Sequence, residues 1–83
     1  MAYTLVFTET FNKSLDKLDG SVKRQLPKVF DKIRKNPRLG KPLHGKWDYY
    51  RVRFGVYRIT YTIHENELVV LMLEIGKRDE IYR

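Results

Sequence analysis

The sequence predicts an α+β fold in which two helices pack on one face of a small, mainly antiparallel four-stranded sheet, in the order β-α-α-β-β-β. Residues 46–63 alternate apolar and polar side chains on both sides of Gly55, which is typical of a β-hairpin. Residues 8–36 carry apolar side chains at helical spacing, and residues 68–73 are an unbroken apolar run of strand length. A chain of 83 residues is expected to form one domain, over residues 1–83.

The first half of the chain is predicted to form one strand and two helices. Residues 2–7 alternate in the manner of a strand. Thr8 offers a hydroxyl N-cap to a helix that is expected to end at an Asp-Gly pair within residues 9–20. A second helix is expected over residues 21–36. Because Pro27 lacks the N–H that an interior helical residue donates, we expect a kink or an irregular first turn there.

The second half is predicted to contain the other three strands. Residues 38–46 include two glycines and a proline, which indicate a loop. The hairpin arms follow, over residues 50–54 and 57–63. A polar turn at residues 64–67 then leads to the apolar strand 68–73. Since that strand does not alternate, we expect it to lie centrally in the sheet or to be covered on both faces.

The charge distribution indicates an anionic partner. The net charge is +7, and twelve of the seventeen lysines and arginines lie within residues 23–58, where Asp31 and Asp48 are the only acidic residues. A field of this sign attracts nucleic acid, an acidic protein, or both. The alternative is a basic surface that serves only solubility.

Several classes of protein are disfavoured by what the sequence lacks. There is no cysteine, so disulfides and thiolate metal sites are excluded and a reducing compartment, the cytoplasm, is expected. The apolar run at residues 68–73 is too short to span a bilayer, so no membrane association is expected. Neither a glycine-rich phosphate loop nor a histidine pair at ligand spacing is present, so we expect no metal or nucleotide cofactor.

The hairpin gathers arginines on one face. Successive strand side chains point to opposite faces, so Arg51, Arg53 and Arg58 lie opposite the apolar side chains of the two arms. Arg78 follows the last strand. If that strand lies beside the hairpin, Arg78 and Tyr82 reach the same surface.

These residues resemble the RelE branch of the RelE/ParE toxins of prokaryotic type II toxin–antitoxin systems. The resemblance is carried by the order of elements and by three motifs: Tyr-Arg-Val-Arg-Phe from Tyr50, Val-Tyr-Arg-Ile-Thr-Tyr from Val56, and Ile-Gly-Lys-Arg-Asp-Glu-Ile-Tyr from Ile75. It implies a single RelE-like toxin domain that enters the ribosomal A site, cleaves mRNA there and inhibits translation. It also implies an acidic, RelB-like antitoxin that silences the toxin within a hetero-oligomer.

By position, the resemblance implies catalytic roles for Arg51, Arg53, Arg58, Arg78 and Tyr82. The first two match a basic pair that is lysine in well-known bacterial members of the family. Arginine binds phosphate through its planar fork, but its pKa above about 12 makes it a poor base. Metal-independent cleavage of RNA therefore needs another group to move protons.

Candidates for proton transfer and for further RNA contact lie outside the arginine set. Besides Tyr82, the candidates for proton transfer within or beside the motifs are His44, Lys46 and Lys77. Lys46 and Lys77 are also expected to contact RNA, together with Arg24 and Lys28 on the basic side of the second helix. The alternative for that helix is an ordinary solvated surface.

Two other functions stay open on the sequence. A ParE-like toxin of the same fold would poison DNA gyrase without cutting RNA. A non-catalytic RNA-binding module would use the same basic surface to bind without producing a cut.

Overall fold

The computed structural model describes residues 2–43 and 49–77, which form an α+β structure with a five-stranded mixed sheet. The strands are β1 (Thr4–Phe7), β2 (Lys41–Pro42), β3 (Tyr49–Phe54), β4 (Tyr57–His64) and β5 (Val69–Lys77). The helices are α1 (Glu9–Asp16), α2 (Gly20–Lys23) and α3 (Leu26–Lys35), and single 3₁₀ turns occupy Pro37–Leu39 and Glu65–Glu67. Within these described ranges, no helix is long and apolar enough to cross a membrane.

The strand order is β1-β5-β4-β3-β2, with β1 parallel to β5 and the other neighbours antiparallel. The predicted fold class is confirmed, whereas the predicted count of four strands is wrong. The additional strand is β2, in a stretch predicted to be a loop, where Lys41 pairs with Arg51 and Pro42 with Tyr50. Two residues are too few to show a period, and an edge strand tolerates a proline.

The predicted internal position of β5 is confirmed, since it lies between β1 and β4. Val70, Met72 and Ile75 are buried against the helices. Leu71 and Leu73 are half-buried on the other face, so β5 is covered fully on only one side. The strand also runs beyond the predicted apolar stretch, to Lys77.

The N-terminus of α1 is fixed as its cap residue predicts. Thr8 has extended backbone angles, and its hydroxyl oxygen accepts a hydrogen bond from the Phe11 N–H at 3.0 Å. The same hydroxyl donates to the Leu73 carbonyl at 2.9 Å. One side chain therefore satisfies a free helix N–H and ties α1 to the sheet.

The predicted second helix is interrupted. Its first turn, α2, ends at Lys23, and α3 begins at Leu26 with Pro27 in its first turn. A proline is tolerated at that position because its missing N–H would have no helical acceptor. The irregularity predicted at the proline is thus present, as a break just before it.

The helices bury their apolar stripes against one face of the sheet. The fully buried side chains come from α1, α3, β4 and β5, namely Phe11, Leu26, Ile33, Ile59, Tyr61, Val70, Met72 and Ile75. The rings of Phe7, Phe11 and Phe30 lie 5.3 to 6.0 Å apart between the helices and β1. The opposite face of the sheet is the one that carries the arginines.

Tyr61 anchors the segment that leads into β2. Its side chain is wholly buried, and its hydroxyl donates a hydrogen bond to the Pro37 carbonyl at 2.5 Å. Burial raises the pKa of Tyr61 to about 12, so it remains a neutral donor. A Cβ on Gly40 would overlap that hydroxyl and lie 3.0 Å from the Arg51 carbonyl oxygen. Any other residue at this position would have to displace one of these groups.

A polar network on the surface holds the same segment. Tyr3 donates to one Glu65 carboxylate oxygen at 2.9 Å, and Arg38 hydrogen-bonds the other. Arg38 also donates to the Tyr50 hydroxyl at 3.1 Å, and the Tyr50 ring stacks on Tyr61 with centroids 6.0 Å apart. The hydrogen bond from Tyr3 is the largest cause of the lowered pKa of Glu65, followed by that from Arg38.

We expect Gly40→Ala to lower the free energy of unfolding by about 1 to 3 kcal/mol, because the methyl group must displace Tyr61 or the β3 backbone. Gly20→Ala is the matched control. Its Cβ would meet nothing within 4 Å, so its effect stays within about 0.5 kcal/mol or is stabilising. Urea unfolding of the three proteins measures the difference, and equal stability of the two variants would contradict the packing described at Gly40.

We expect Glu65→Gln to flatten the loss of stability in acid. The pKa of Glu65 is lower in the folded state than in the unfolded state. Its carboxylate therefore stabilises the fold above the unfolded pKa, and that stabilisation is lost as the pH falls below about 4. Asp31 also has a lowered pKa, because of its hydrogen bonds with Arg34 and then Lys35. It therefore contributes a loss of stability in acid that is the same in wild type and in Glu65→Gln.

Thermal unfolding between pH 3 and 7 measures the effect of Glu65→Gln. Glu67→Gln is the control, since the Glu67 side chain forms no hydrogen bond or ion pair within residues 2–43 and 49–77. An unchanged pH profile in Glu65→Gln would contradict a structural role for the network.

Candidate active site

The register of the sheet collects basic side chains on one face. Arg53 of β3 pairs with Arg58 of β4, and Arg58 pairs on its other side with Gly76 of β5. Arg51 pairs with Thr60. Because paired residues of antiparallel strands point to the same face, the structure brings the three hairpin arginines together.

The three arginines differ in depth. Arg53 is exposed and Arg51 is half-buried, whereas Arg58 is only 2 % exposed. The sequence placed all three on the face opposite the apolar side chains, and Arg58 is the deepest because strands pair with it on both sides, at Arg53 and Gly76, whereas β2 does not extend beside Arg53. Arg51 and Arg58 both interact with other groups of the chain, so neither guanidinium is free.

A buried guanidinium requires polar partners, since an uncompensated charge in the interior is strongly unfavourable. In the described part of the chain, every buried side-chain nitrogen and oxygen has a hydrogen-bond partner. Arg58 is therefore held as part of the structure, with its charge just beneath the surface that Arg53 exposes.

Other basic residues singled out in the sequence lie elsewhere. Lys77 pairs with Tyr57, whose ring stacks on Phe54 on the helix side of the sheet, with centroids 5.5 Å apart. Lys77 therefore points away from the arginine face. Arg24 and Lys28 are exposed at the helix layer, on the same side as Lys77. The structure does not bring these three residues to the arginines.

Four of the candidate residues, Arg78, Tyr82, Lys46 and His44, lie outside the described residues. Their expected convergence with the arginines stays a prediction.

The structure places on the arginine face three further polar side chains that were not among the predicted site residues. Lys41 reaches it through the pairing of β2 with Arg51. Glu74 reaches it opposite Thr60, which is itself only 7 % exposed. Tyr49 pairs with Thr62 and lies on the same face. The alternation of side chains in β3 could have predicted the face on which Tyr49 lies. The face of Lys41 depends on the pairing of β2, which is too short to show a periodic pattern.

Two grooves mark this face. The first, of about 350 Å³, lies at the β2 edge and is lined by Leu39, Gly40, Lys41, Arg51, Val52 and Arg53. The second, of about 460 Å³, is lined mainly by hydroxyl and apolar side chains, from Thr8, Thr10, Leu43, Tyr49, Thr60, Leu73 and Glu74. The first groove is suited to an anion. The second is suited to apolar side chains of a partner.

The chemistry of this face is that of anion binding. Guanidinium groups bind phosphate through paired N–H donors and keep their charge at any physiological pH. Across residues 2–43 and 49–77, no cluster of three or more His, Cys, Asp or Glu side chains could hold a metal ion. What the described groups can do is bind a phosphate and stabilise negative charge that develops on it.

Comparison with known proteins adds the family context. The sequence profile of the ParE toxin family of type II toxin–antitoxin systems matches residues 5–82. The mRNA interferase toxin RelE of Escherichia coli K12 is 34 % identical over 87 residues, which span 99 % of this chain and 92 % of RelE. Toxin RelG of Mycobacterium tuberculosis is 33 % identical over 86 residues, covering 100 % of this chain and 99 % of RelG.

A solved structure gives the same result for the fold. A chain from the toxin–antitoxin complex RelBE2 of Mycobacterium tuberculosis superposes with a TM-score of 0.84 at 30 % identity, covering 94 % of this chain and 100 % of that one.

The difference in depth between Arg58 and Arg53 predicts different costs of removal. Arg58→Ala should lower the free energy of unfolding by about 1 to 3 kcal/mol, because it leaves buried polar groups without a partner. Arg53→Ala should change it by no more than about 0.5 kcal/mol, since Arg53 is exposed. Chemical denaturation of both variants tests this. An Arg58→Ala protein as stable as Arg53→Ala would mean that the guanidinium is not held in the interior.

Proposed function

The chain belongs to the RelE/ParE superfamily of type II toxins, and we propose that it is a metal-independent endoribonuclease that cleaves mRNA in the ribosomal A site. The observation that carries this proposal is the register that sets Arg51, Arg53 and Arg58 on one sheet face. The similarity to the mRNA interferase RelE over nearly the whole chain supports the same activity.

The reaction places one demand that the arginines meet. In metal-independent cleavage, the 2′-oxygen of a ribose attacks the neighbouring phosphorus, charge gathers on the phosphate oxygens, and the 5′-oxygen departs. We assign the contact with the scissile phosphate to Arg51 and Arg53, because both reach the surface. Arg58 acts from beneath them, where a fixed positive charge in a low-dielectric interior stabilises the same developing charge without rearrangement.

Proton transfer and orientation must come from other groups. Tyr82, His44 and Lys46 are the proposed proton-transfer candidates, and Arg78 the proposed further phosphate contact. The ribosome would hold the 2′-oxygen in line with the phosphorus, and such orientation can supply several kcal/mol of the barrier. This division of labour makes the enzyme dependent on the ribosome and places its action in the cytoplasm.

The basic residues that lie away from the arginines are better placed to contact ribosomal RNA than to contact the scissile phosphate. Arg24, Lys28 and Lys77 lie on the helix side of the sheet, so they cannot share a phosphate with Arg53. We assign them to backbone contacts with ribosomal RNA, where position rather than chemistry is needed.

The partner that silences the toxin is proposed to be an acidic, RelB-like antitoxin. An acidic segment that folds on binding would neutralise the exposed arginines, and charge complementarity would favour rapid association. The groove between Thr8 and Tyr49 offers apolar contact to a helix of such a partner. The toxin–antitoxin complex RelBE2 of Mycobacterium tuberculosis, one chain of which shares this fold, is an assembly of that class.

The activity is tested by toeprinting a defined mRNA on ribosomes with a vacant A site, with and without the protein. We expect a cut within the A-site codon and none on free mRNA. Removing one donor to a developing oxyanion lowers the rate by about 10² to 10³, so Arg53→Ala and Arg78→Ala should reduce the cut by that factor. Lys13→Ala is the matched control, because it removes an exposed charge of α1 to which no RNA contact is assigned, and this variant should cut normally.

Two outcomes would overturn the proposal. Full activity of Arg53→Ala and Arg78→Ala would show that the arginine face is not the site. Absence of a cut, together with inhibition of gyrase supercoiling, would establish the gyrase-poisoning alternative, and the arginines would then form a docking surface.

A further inference from the structure

We propose that Lys41 binds the mRNA phosphate next to the scissile one, so that the substrate-binding surface extends beyond the three arginines onto the edge strand β2. This inference rests on the proposed function, because it concerns the same RNA strand. It adds a residue that lies in none of the family motifs and whose position follows from the sheet register alone.

The register gives Lys41 its place. Lys41 pairs with Arg51, so both side chains leave the sheet on the same face. Neighbouring strands lie about 4.8 Å apart, and residues two apart along a strand are separated by about 6.7 Å. Arg58, Arg53 and Lys41 therefore sit on three successive strands that span about 10 Å, which is wider than one phosphate group.

The groove at this edge has the size and lining for such a contact. Its volume of about 350 Å³ falls in the range of small-molecule sites, and Lys41, Arg51 and Arg53 supply three cations to it. Leu39, which is 44 % exposed, forms an apolar wall. A phosphate can bind the cations while the attached ribose lies against the leucine.

The backbone that carries Lys41 is fixed before any substrate arrives. Upstream, the Pro37 carbonyl accepts a hydrogen bond from the Tyr61 hydroxyl, and Gly40 packs against that hydroxyl. Downstream, the Leu43 N–H donates to the Tyr49 carbonyl at 2.8 Å. A cation on an anchored strand binds with a smaller loss of conformational freedom than one on a mobile loop.

Lys41 is also available to an external anion. Lys41 takes part in none of the ion pairs among residues 2–43 and 49–77. Its ammonium is a compact charge that binds phosphate oxygens without the planar geometry that arginine requires. An exposed lysine that serves solubility alone is the competing explanation, and it predicts no effect on cleavage.

The test uses A-site mRNAs in which one linkage beside the scissile phosphate is an uncharged methylphosphonate. With fully charged mRNA at subsaturating ribosome complex, Lys41→Gln should cut about tenfold more slowly than wild type, and the control Lys13→Gln should cut normally. Neutralising one of the two neighbouring linkages should slow cleavage by wild type by a similar factor. The same change should not slow Lys41→Gln further than its rate on fully charged mRNA. Lys41→Arg should retain most of the rate.

The results that would overturn the inference are distinct from those that would overturn the function. If wild type cuts and Lys41→Gln cuts equally well, Lys41 does not bind the RNA. If the effects of Lys41→Gln and of each neutral linkage multiply, the lysine acts elsewhere than at a neighbouring phosphate. If wild type fails to cut fully charged mRNA, the proposed nuclease function falls, and this inference falls with it.

Discussion

The pairing register between β3 and β4 is the constraint on which both faces of the molecule depend. Side chains alternate with a period of two, so the register that buries Ile59 and Tyr61 under the helices also sets Arg53 opposite Arg58. A slip by one residue would exchange the two faces. Like charges placed opposite each other disfavour pairing, and the apolar packing on the helix side must outweigh that repulsion.

This coupling explains why the charged face can be crowded without loss of the fold. Binding anions requires positive charges held close together before the ligand arrives, and such an array opposes its own formation. Here the two paired arginines lie at different depths, which reduces the repulsion between them. Arg53 is solvated, whereas Arg58 is enclosed with polar partners. Arginine at all three positions suits the binding of an anion better than the transfer of a proton.

Much of the fold follows from local patterns, and the rest depends on pairings that those patterns do not encode. The cap at Thr8 and the alternation of the hairpin predicted α1, β3 and β4, together with one face for the three arginines. The two-residue strand β2 has no period, so neither it nor the placement of Lys41 could be predicted. The burial of Arg58 depends on β4 being the middle strand, which is a property of sheet order rather than of the residues around Arg58.

The family resemblance identified the residues to consider, while the geometry separated the described ones onto two faces of the sheet. Lys77 is adjacent in sequence to the last predicted catalytic arginine, yet its pairing with Tyr57 directs it to the helix side. Sequence proximity to a motif is therefore a weak guide to membership of a site in a sheet protein. Lys41, distant in sequence from Arg58, shares its face instead.

The parallel pairing of β1 with β5 sets the order in which the molecule can be completed during its own synthesis. Thr4 pairs with Val69 and Phe7 with Met72, so the first strand to leave the ribosome has to wait for the last. Until β5 emerges, β4 lacks one neighbour, and the sheet consists of β3 and β4 with only the two-residue strand β2 beside them, so it is only marginally stable. The nascent chain therefore carries its arginines on an incomplete sheet until β5 has been translated.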